Sequence, residues 1–205
     1  YLRFAATLDL RDSPFDAREG VWAQLRYQYA FPGIENFADF EYHRLVADVR
    51  GYYSPLSWMT LGARVKYGRL FPEGRLVAKP GSLIPKTVRF DGGGSSDHRG
   101  FGTRTMGPAV LDQSGKETFL GGNASFLASA ELRFHMPYDL GLVLFADAGQ
   151  VWTKTENFET LEVAVGPGLR YYTAFGPIRA DFAFRVTAPT LPELFTFHFS
   201  IGQAF

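Results

Sequence analysis

Bond-making chemistry needs a nucleophile, a proton shuttle or a metal cradle, and this chain offers little material for any of them. Cysteine is absent, which removes thiolate nucleophiles, disulfide staples and thiolate metal sites together. The four histidines, at 43, 98, 135 and 198, are scattered without ligand spacing. No Ser/His/Asp arrangement has local support, and Ser114-Gly-Lys-Glu lacks the spacing and the Ser/Thr of a phosphate-binding loop. Gly92-Gly93-Gly94 follows no strand-to-helix pattern and reads as loop, while Asn123-Ala-Ser matches a glycan sequon by pattern only. The expectation is a protein that is not an enzyme and uses no cofactor and no metal. What remains is non-covalent chemistry: carboxylates and guanidinium groups on the polar side of alternating segments, Glu131 and Asp147 among the carboxylates.

The elements that carry these groups are strands. Residues 126–136 set Phe126, Ala128, Ala130, Leu132 and Phe134 against Ser129, Glu131, Arg133 and His135. Successive side chains of a strand point to opposite faces, so such a segment has one greasy wall and one polar wall. The same alternation recurs over 2–10, 21–31, 40–53 (noisier), 58–70, 142–152, 161–172, 177–186 and 195–205, nine segments in all. In the last, Phe195, Phe197, Phe199, Ile201 and Phe205 share one register with Gln203, and Thr196, His198, Ser200, Gly202 and Ala204 share the other. Repeated alternation over strands of ~10 residues predicts an antiparallel transmembrane β-barrel. No run approaches the ~18–20 apolar residues of a spanning helix. Aromatic residues make up 16% of the chain, with 20 Phe and 10 Tyr, which suits aromatic girdles at the two membrane interfaces. Charge balances at 21 basic and 21 acidic residues, so there is no electrostatic footprint for nucleic acid.

Connections alternate in character too. Tight turns at Ser54-Pro55, 137–141 and 173–176 predict periplasmic ends, and wider connections at 32–36, 154–160 and 187–193 predict outward-facing loops. With a periplasmic C-terminus, 11–20 falls on the periplasmic side. Two features break the pattern. Residues 71–123 show no sustained alternation, and a loop that long is functional or disordered. Nine antiparallel strands would also bring first and last strands together parallel, whereas single-chain bacterial barrels have even counts. The chain starts at Tyr1 without Met or signal-like segment, which reads as a processed product or a piece of a longer barrel. The expected organisation is one barrel portion over 1–205 with a long extracellular or lumenal loop at about 71–123.

An ordered series of motifs runs through the chain. It comprises Ile84-Pro85, Arg89-Phe-Asp-Gly-Gly-Gly94, His98-Arg-Gly-Phe101, Gly107-Pro108 and Gly121-Gly122. It continues with Ser-Ala-Glu131-Leu-Arg-Phe, Phe145-Ala-Asp147-Ala-Gly149, Gly166-Pro-Gly168-Leu-Arg170-Tyr and Gly176-Pro-Ile-Arg179-Ala-Asp181. This series resembles the C-terminal half of the barrel in the BamA/TamA outer-membrane assembly superfamily, from the 9–20 turn to Phe205. The closing Gly202-Gln-Ala-Phe205 is most similar to the TamA branch.

The resemblance implies a larger barrel of about sixteen strands, an even count of the usual kind. It also implies that the Arg-Gly-Phe tip of a long extracellular loop folds back into the lumen. There Arg99 is clasped by an acid on each of the next two strands, Glu131 and Asp147, with Gly100 allowing a tight turn and Phe101 anchoring in the wall. The polar registers of Glu131 and Asp147 agree independently, since a buried guanidinium needs acidic partners. His98 departs from the family pattern, which has a small apolar residue there. Gly202 would let the last strand kink inward, giving with Phe205 a lateral gate where a client strand could pair. The implied function is folding or translocation of client β-barrels or autotransporters in the Gram-negative outer membrane. Implied partners are membrane lipids, client outer-membrane proteins and periplasmic or inner-membrane subunits. Two alternatives stay open: a two-partner-secretion-type pore, and a short stand-alone member without periplasmic domains that pairs with a second copy as a homodimer.

Overall fold

A computed structural model describes residues 1–31, 41–73, 85–113, 115, 117–153, 160–174, 176–188 and 194–205. The described residues form eleven strands and no helix. In order they are β1 (Leu2–Asp9), β2 (Gly20–Ala30), β3 (Glu41–Leu56), β4 (Met59–Glu73), β5 (Ala109–Leu111) and β6 (Glu117–Phe119). There follow β7 (Ala124–His135), β8 (Leu140–Trp152), β9 (Glu162–Thr173), β10 (Gly176–Arg185) and β11 (Phe195–Ile201). Nine of them make one antiparallel sheet in the order β1-β2-β3-β4-β7-β8-β9-β10-β11, and β5 and β6 make a separate hairpin. Among the described residues β1 and β11 each pair along one edge only.

The nine long strands match the alternating segments, because a two-residue period leaves few other solutions for a chain greasy on one register and charged on the other. Outward residues such as Leu61, Val65, Leu144, Leu169, Phe182, Phe197 and Phe199 are exposed. Inward residues such as Arg64, Glu131, Arg133, Asp147, Arg170, Arg179 and Asp181 are buried. A water-soluble sheet would reverse this; a sheet whose outer solvent is hydrocarbon requires it. Interfacial aromatics cap both ends of the greasy wall. Tyr29 stacks on His43 at 4.6 Å near the outer end of β2 and β3, and Trp58 stacks on Phe134 at 6.1 Å at the opposite end. The turn after β7 is held by two consecutive left-handed residues, Tyr138 (φ 64°) and Asp139 (φ 58°).

Several expectations need correction. The alternation of 58–70 runs on to Glu73, and the long segment after it carries β5 and β6 and a packed interior. Its backbone docks on the inner wall through the bridges Phe90–Gly122 and Gly92–Met106. Phe90 and Met106 join Tyr42, Val46, Leu70 and Val151 in a buried apolar cluster, with Arg44 4.2 Å above the Phe90 ring. The last strand ends at Ile201 rather than Phe205. Gly202 adopts φ +93°, a conformation that favours glycine, and its N–H donates to Pro177 O at 2.7 Å. The chain thereby leaves the wall, so Phe205 is not on the greasy outer face. It lies inside, clustered with Ala17, Tyr52 and Ala204. The wider connections expected at 32–36, 154–160 and 187–193 fall largely outside the described residues, as do Ile84, Ser114 and Lys116.

The inner face is thus layered along the strand axis. An apolar cluster under the long loop occupies the outer end, a charged belt the middle, and the Tyr52–Phe205 cluster the periplasmic end.

Candidate functional site

The charged belt is built by register. Glu131 lies opposite Phe145 and Asp147 opposite Ser129 across the β7–β8 ladder, so both carboxylates face inward about two residues apart along neighbouring strands. The loop brings Arg99 to them. Its Nε and Nη2 donate to Asp147 Oδ2 and Oδ1, both at 2.8 Å, and its backbone N–H donates to Oδ2 at 3.0 Å. Its Nη1 donates to Glu131 Oε1 at 2.5 Å. The guanidinium carbon sits 3.6 Å from the Phe145 ring centroid, so one face is closed by an aromatic surface. Arg99, Glu131 and Asp147 are all buried, with Arg99 at 0% exposure. Burial alone would push the Arg99 guanidinium down, but the Glu131 and Asp147 carboxylates hold it above the ordinary arginine value.

Gly100 lies in the expected tight turn, closed by the Phe101 N–H donating to His98 O at 3.2 Å, and it has a second reason to be glycine. A Cβ here would lie 2.7 Å from the Ala164 Cβ on β9, so the requirement is close approach of loop to wall. Phe101 packs against the apolar cluster, with Arg185 4.4 Å from its ring centroid. His98, fully buried, bridges loop and wall: Nε2 donates to Glu162 O at 2.9 Å and Nδ1 accepts from the Gly100 N–H at 3.2 Å. Those two partners select the neutral ring protonated on Nε2. The polar residues before it are used as well. Arg64 donates to Ser96 O at 2.9 Å, and Lys66 pairs with Asp97 at 3.3 Å.

The belt extends past the residues singled out from sequence. Glu131 Oε2 accepts from Arg133 Nε at 2.8 Å, and Arg133 Nη2 donates to Phe205 O at 3.3 Å. Arg170 Nη1 donates to Asp181 Oδ1 at 2.6 Å, and Arg179 approaches Asp181 at 3.7 Å. Four buried arginines, 99, 133, 170 and 179, therefore surround three buried carboxylates, Glu131, Asp147 and Asp181. The signal for the extra members was present: each is a charge on an inward register, and Gly166-Pro-Gly168 supplies the space. A side chain at Gly168 would collide with the Arg170 guanidinium, its Cβ 2.7 Å from Nη1. Gly202 and Phe205 are not part of this belt; Phe205 adjoins it through Arg133. These guanidinium and carboxylate groups pair with one another, an arrangement that fixes the loop to the wall. Among the described residues no cluster of metal-ligating side chains occurs.

A one-sided hydrophobic sheet with a loop pinned inside it is the construction of an outer-membrane β-barrel. The chain belongs to the Omp85 superfamily, whose domain model matches residues 1–205. It is 29% identical over 153 residues to the outer membrane protein assembly factor BamA of Neisseria meningitidis, covering 60% of this chain and 19% of that protein. Its fold is similar to that of BamA from Haemophilus ducreyi lacking POTRA domains 1–3, with a TM-score of 0.78 and 19% identity. That match covers 98% of this chain and 41% of the other. The chain thus spans less than half the length of either relative. Both relatives are BamA proteins, and neither speaks for the TamA branch. The protein is located in the bacterial outer membrane, and the greasy wall described above is its lipid-facing surface.

Proposed function

We propose that this barrel takes part in assembling other outer-membrane proteins, with the last strand, β11, as the place where a client strand pairs. The observation that carries the reading is family membership together with a lipid-facing last strand that leaves the sheet at Gly202. Unpaired N–H and C=O groups at membrane depth are costly, so any edge that β11 exposes favours pairing with another strand. A client strand adding to it by β-augmentation would satisfy those groups and acquire a register before the client closes. The energy would come from strand pairing and from burial of the client's own apolar wall in lipid, and no bond need be made or broken. The name of the Neisseria relative, an assembly factor, supports the same reading. Clients and lipids are the partners this requires; periplasmic or inner-membrane subunits would deliver the clients.

The test is a photo-reactive residue at position 199 on the outward face of β11, in cells producing the full-length protein. Crosslinks to nascent barrel proteins, with client levels falling when the protein is depleted, are expected. Unchanged client levels together with no barrel crosslinks would overturn the reading.

A further inference from the structure

The periplasmic end of the inner face holds a cavity of about 400 Å³. Its polar lining is Arg11, Arg50, Arg64, Tyr52, Ser96 and Gln203, and among the described residues no aspartate or glutamate side chain lines it. The walls come from the turn after β1, from β3 and β4, from the long loop and from the segment after β11. Two bonds tie them together. Gln203 Nε2 donates to Asp16 Oδ1 at 2.7 Å, and Arg64 Nη1 donates to Ser96 O at 2.9 Å. A cavity of this size is large enough for a small ligand.

The lining carries more cation than its partners cancel. Arg11 is held by Asp9 at 2.8 Å, while Arg50 and Arg64 share the single carboxylate of Asp48, at 3.0 and 2.7 Å. Three guanidinium groups thus have two carboxylates between them, and both carboxylates stand outside the lining. The buried Tyr52 hydroxyl finds no acceptor among the described residues, since the charges that act on it most, Arg133, Arg50 and Arg11, can only donate. Arg133 Nη1 is a second buried donor without an acceptor, on a guanidinium whose carbon lies 5.4 Å from the Tyr52 ring centroid. Gln203 Oε1 is a buried acceptor without a donor. Buried polar groups left unpaired are costly, and water would pair the hydroxyl without cancelling the excess charge. An oxyanion does both, because guanidinium forks match its oxygens two at a time. One that also carries an O–H, as hydrogen phosphate does, supplies a donor for Gln203 as well.

We propose that this cavity is a phosphate-binding site, with Arg11, Arg50 and Arg64 supplying the charge and the Tyr52 O–H a hydrogen bond. Phosphate bound there would join the turn after β1, the β3–β4 wall, the loop and the segment after β11. The proposal stands independently of the assembly role of β11. The phosphate could be the free ion or the headgroup of a lipid, and the two sources are separable.

The experiment is calorimetric titration of inorganic phosphate into the full-length protein in maltoside micelles, which carry no phosphate, in a chloride buffer. Saturable binding at one site is expected. Tyr52→Phe keeps the ring that packs 6.2 Å from Phe205 and removes only the hydroxyl. Arg50→Gln removes one lining cation and leaves Arg64 on Asp48. Each should weaken binding about tenfold, the order of one hydrogen bond to a charged group. Repeating the titration with glycerophosphoethanolamine, a lipid headgroup without its acyl chains, assigns the source. Binding tighter than that of phosphate points to the headgroup, and weaker binding to the free ion. No saturable binding of either compound, or binding that both variants leave unchanged, would overturn the site and leave the cavity to water.

Discussion

The two ends of the sheet are built differently. In β1 every residue is exposed, including the inward Arg3, Thr7 and Asp9, and its polar contacts to β2 are single exposed bonds such as Gln24 to Thr7 at 3.0 Å. In β7 to β10 the inward residues are closed over by the loop and locked into one network of buried guanidinium and carboxylate groups. The strands themselves are alike in alternation and pairing. What differs, among the described residues, is whether the long loop packs beside them. Register places a charge on the inner wall, and the loop decides whether that charge is a solvated group or part of a rigid belt.

The sharpest way to break this contrast is Arg99→Ala. It leaves Glu131 and Asp147 buried without their shared cation, and removing one partner of a buried pair costs about 3–5 kcal/mol. The folded barrel in detergent should lose heat-modifiable migration at a lower temperature, and client levels in cells should drop; wild-type values for both would remove the clasp from the account. Gly100→Ala tests the close approach to β9. Its Cβ would meet Ala164 at 2.7 Å, and overpacking of this kind costs about 1–3 kcal/mol. Adding Ala164→Gly should recover most of the loss in vesicle unfolding; no recovery would mean that Gly100 serves some other need.

At the other end of the sheet, Gln24→Ala removes a single exposed bond and should shift unfolding by no more than about 0.5 kcal/mol. A larger shift would mean that β1 and β2 carry as much order as the belt. The smallest effect expected is in the turn joining them. Burial opposes ionisation of Asp12, but hydrogen bonds from the Arg18 and Glu19 backbone N–H groups, at 2.9 and 3.2 Å, hold its carboxyl below the ordinary value of 3.8. The contribution is therefore fully present above the unfolded value and is lost as pH falls through the lower folded one. Asp12→Asn should reduce the acid sensitivity of amide exchange in this turn; an unchanged profile would place that sensitivity elsewhere.

The strands were legible because a period of two over many residues admits one wall to lipid and one to the lumen. Glu131 and Asp147 were legible as inward charges for the same reason. The end of β11 was legible only through the resemblance: the alternation continues on paper to Phe205, but the inward kink expected at Gly202 is made by its left-handed backbone and sends Phe205 inside. The interior of the long loop was hidden as well, since Phe90 and Met106 find Tyr42, Leu70 and Val151 from distant positions with no local period. Gly100 was noticed for the turn it sits in, but the close approach to the Ala164 methyl on β9 is a non-local contact that the sequence does not display. Arg133, Arg170, Arg179 and Asp181 were visible as charges and invisible as a network, because partnership depends on cross-strand register and on what the loop brings in.

The central claim, that the loop arginine and the wall carboxylates act as one clasp, is tested most directly by a double-mutant cycle on Arg99→Ala and Asp147→Ala in unfolding from lipid vesicles. The account predicts a coupling of about 2–3 kcal/mol, at the upper end for residues in direct contact. Additivity within about 0.5 kcal/mol would contradict it.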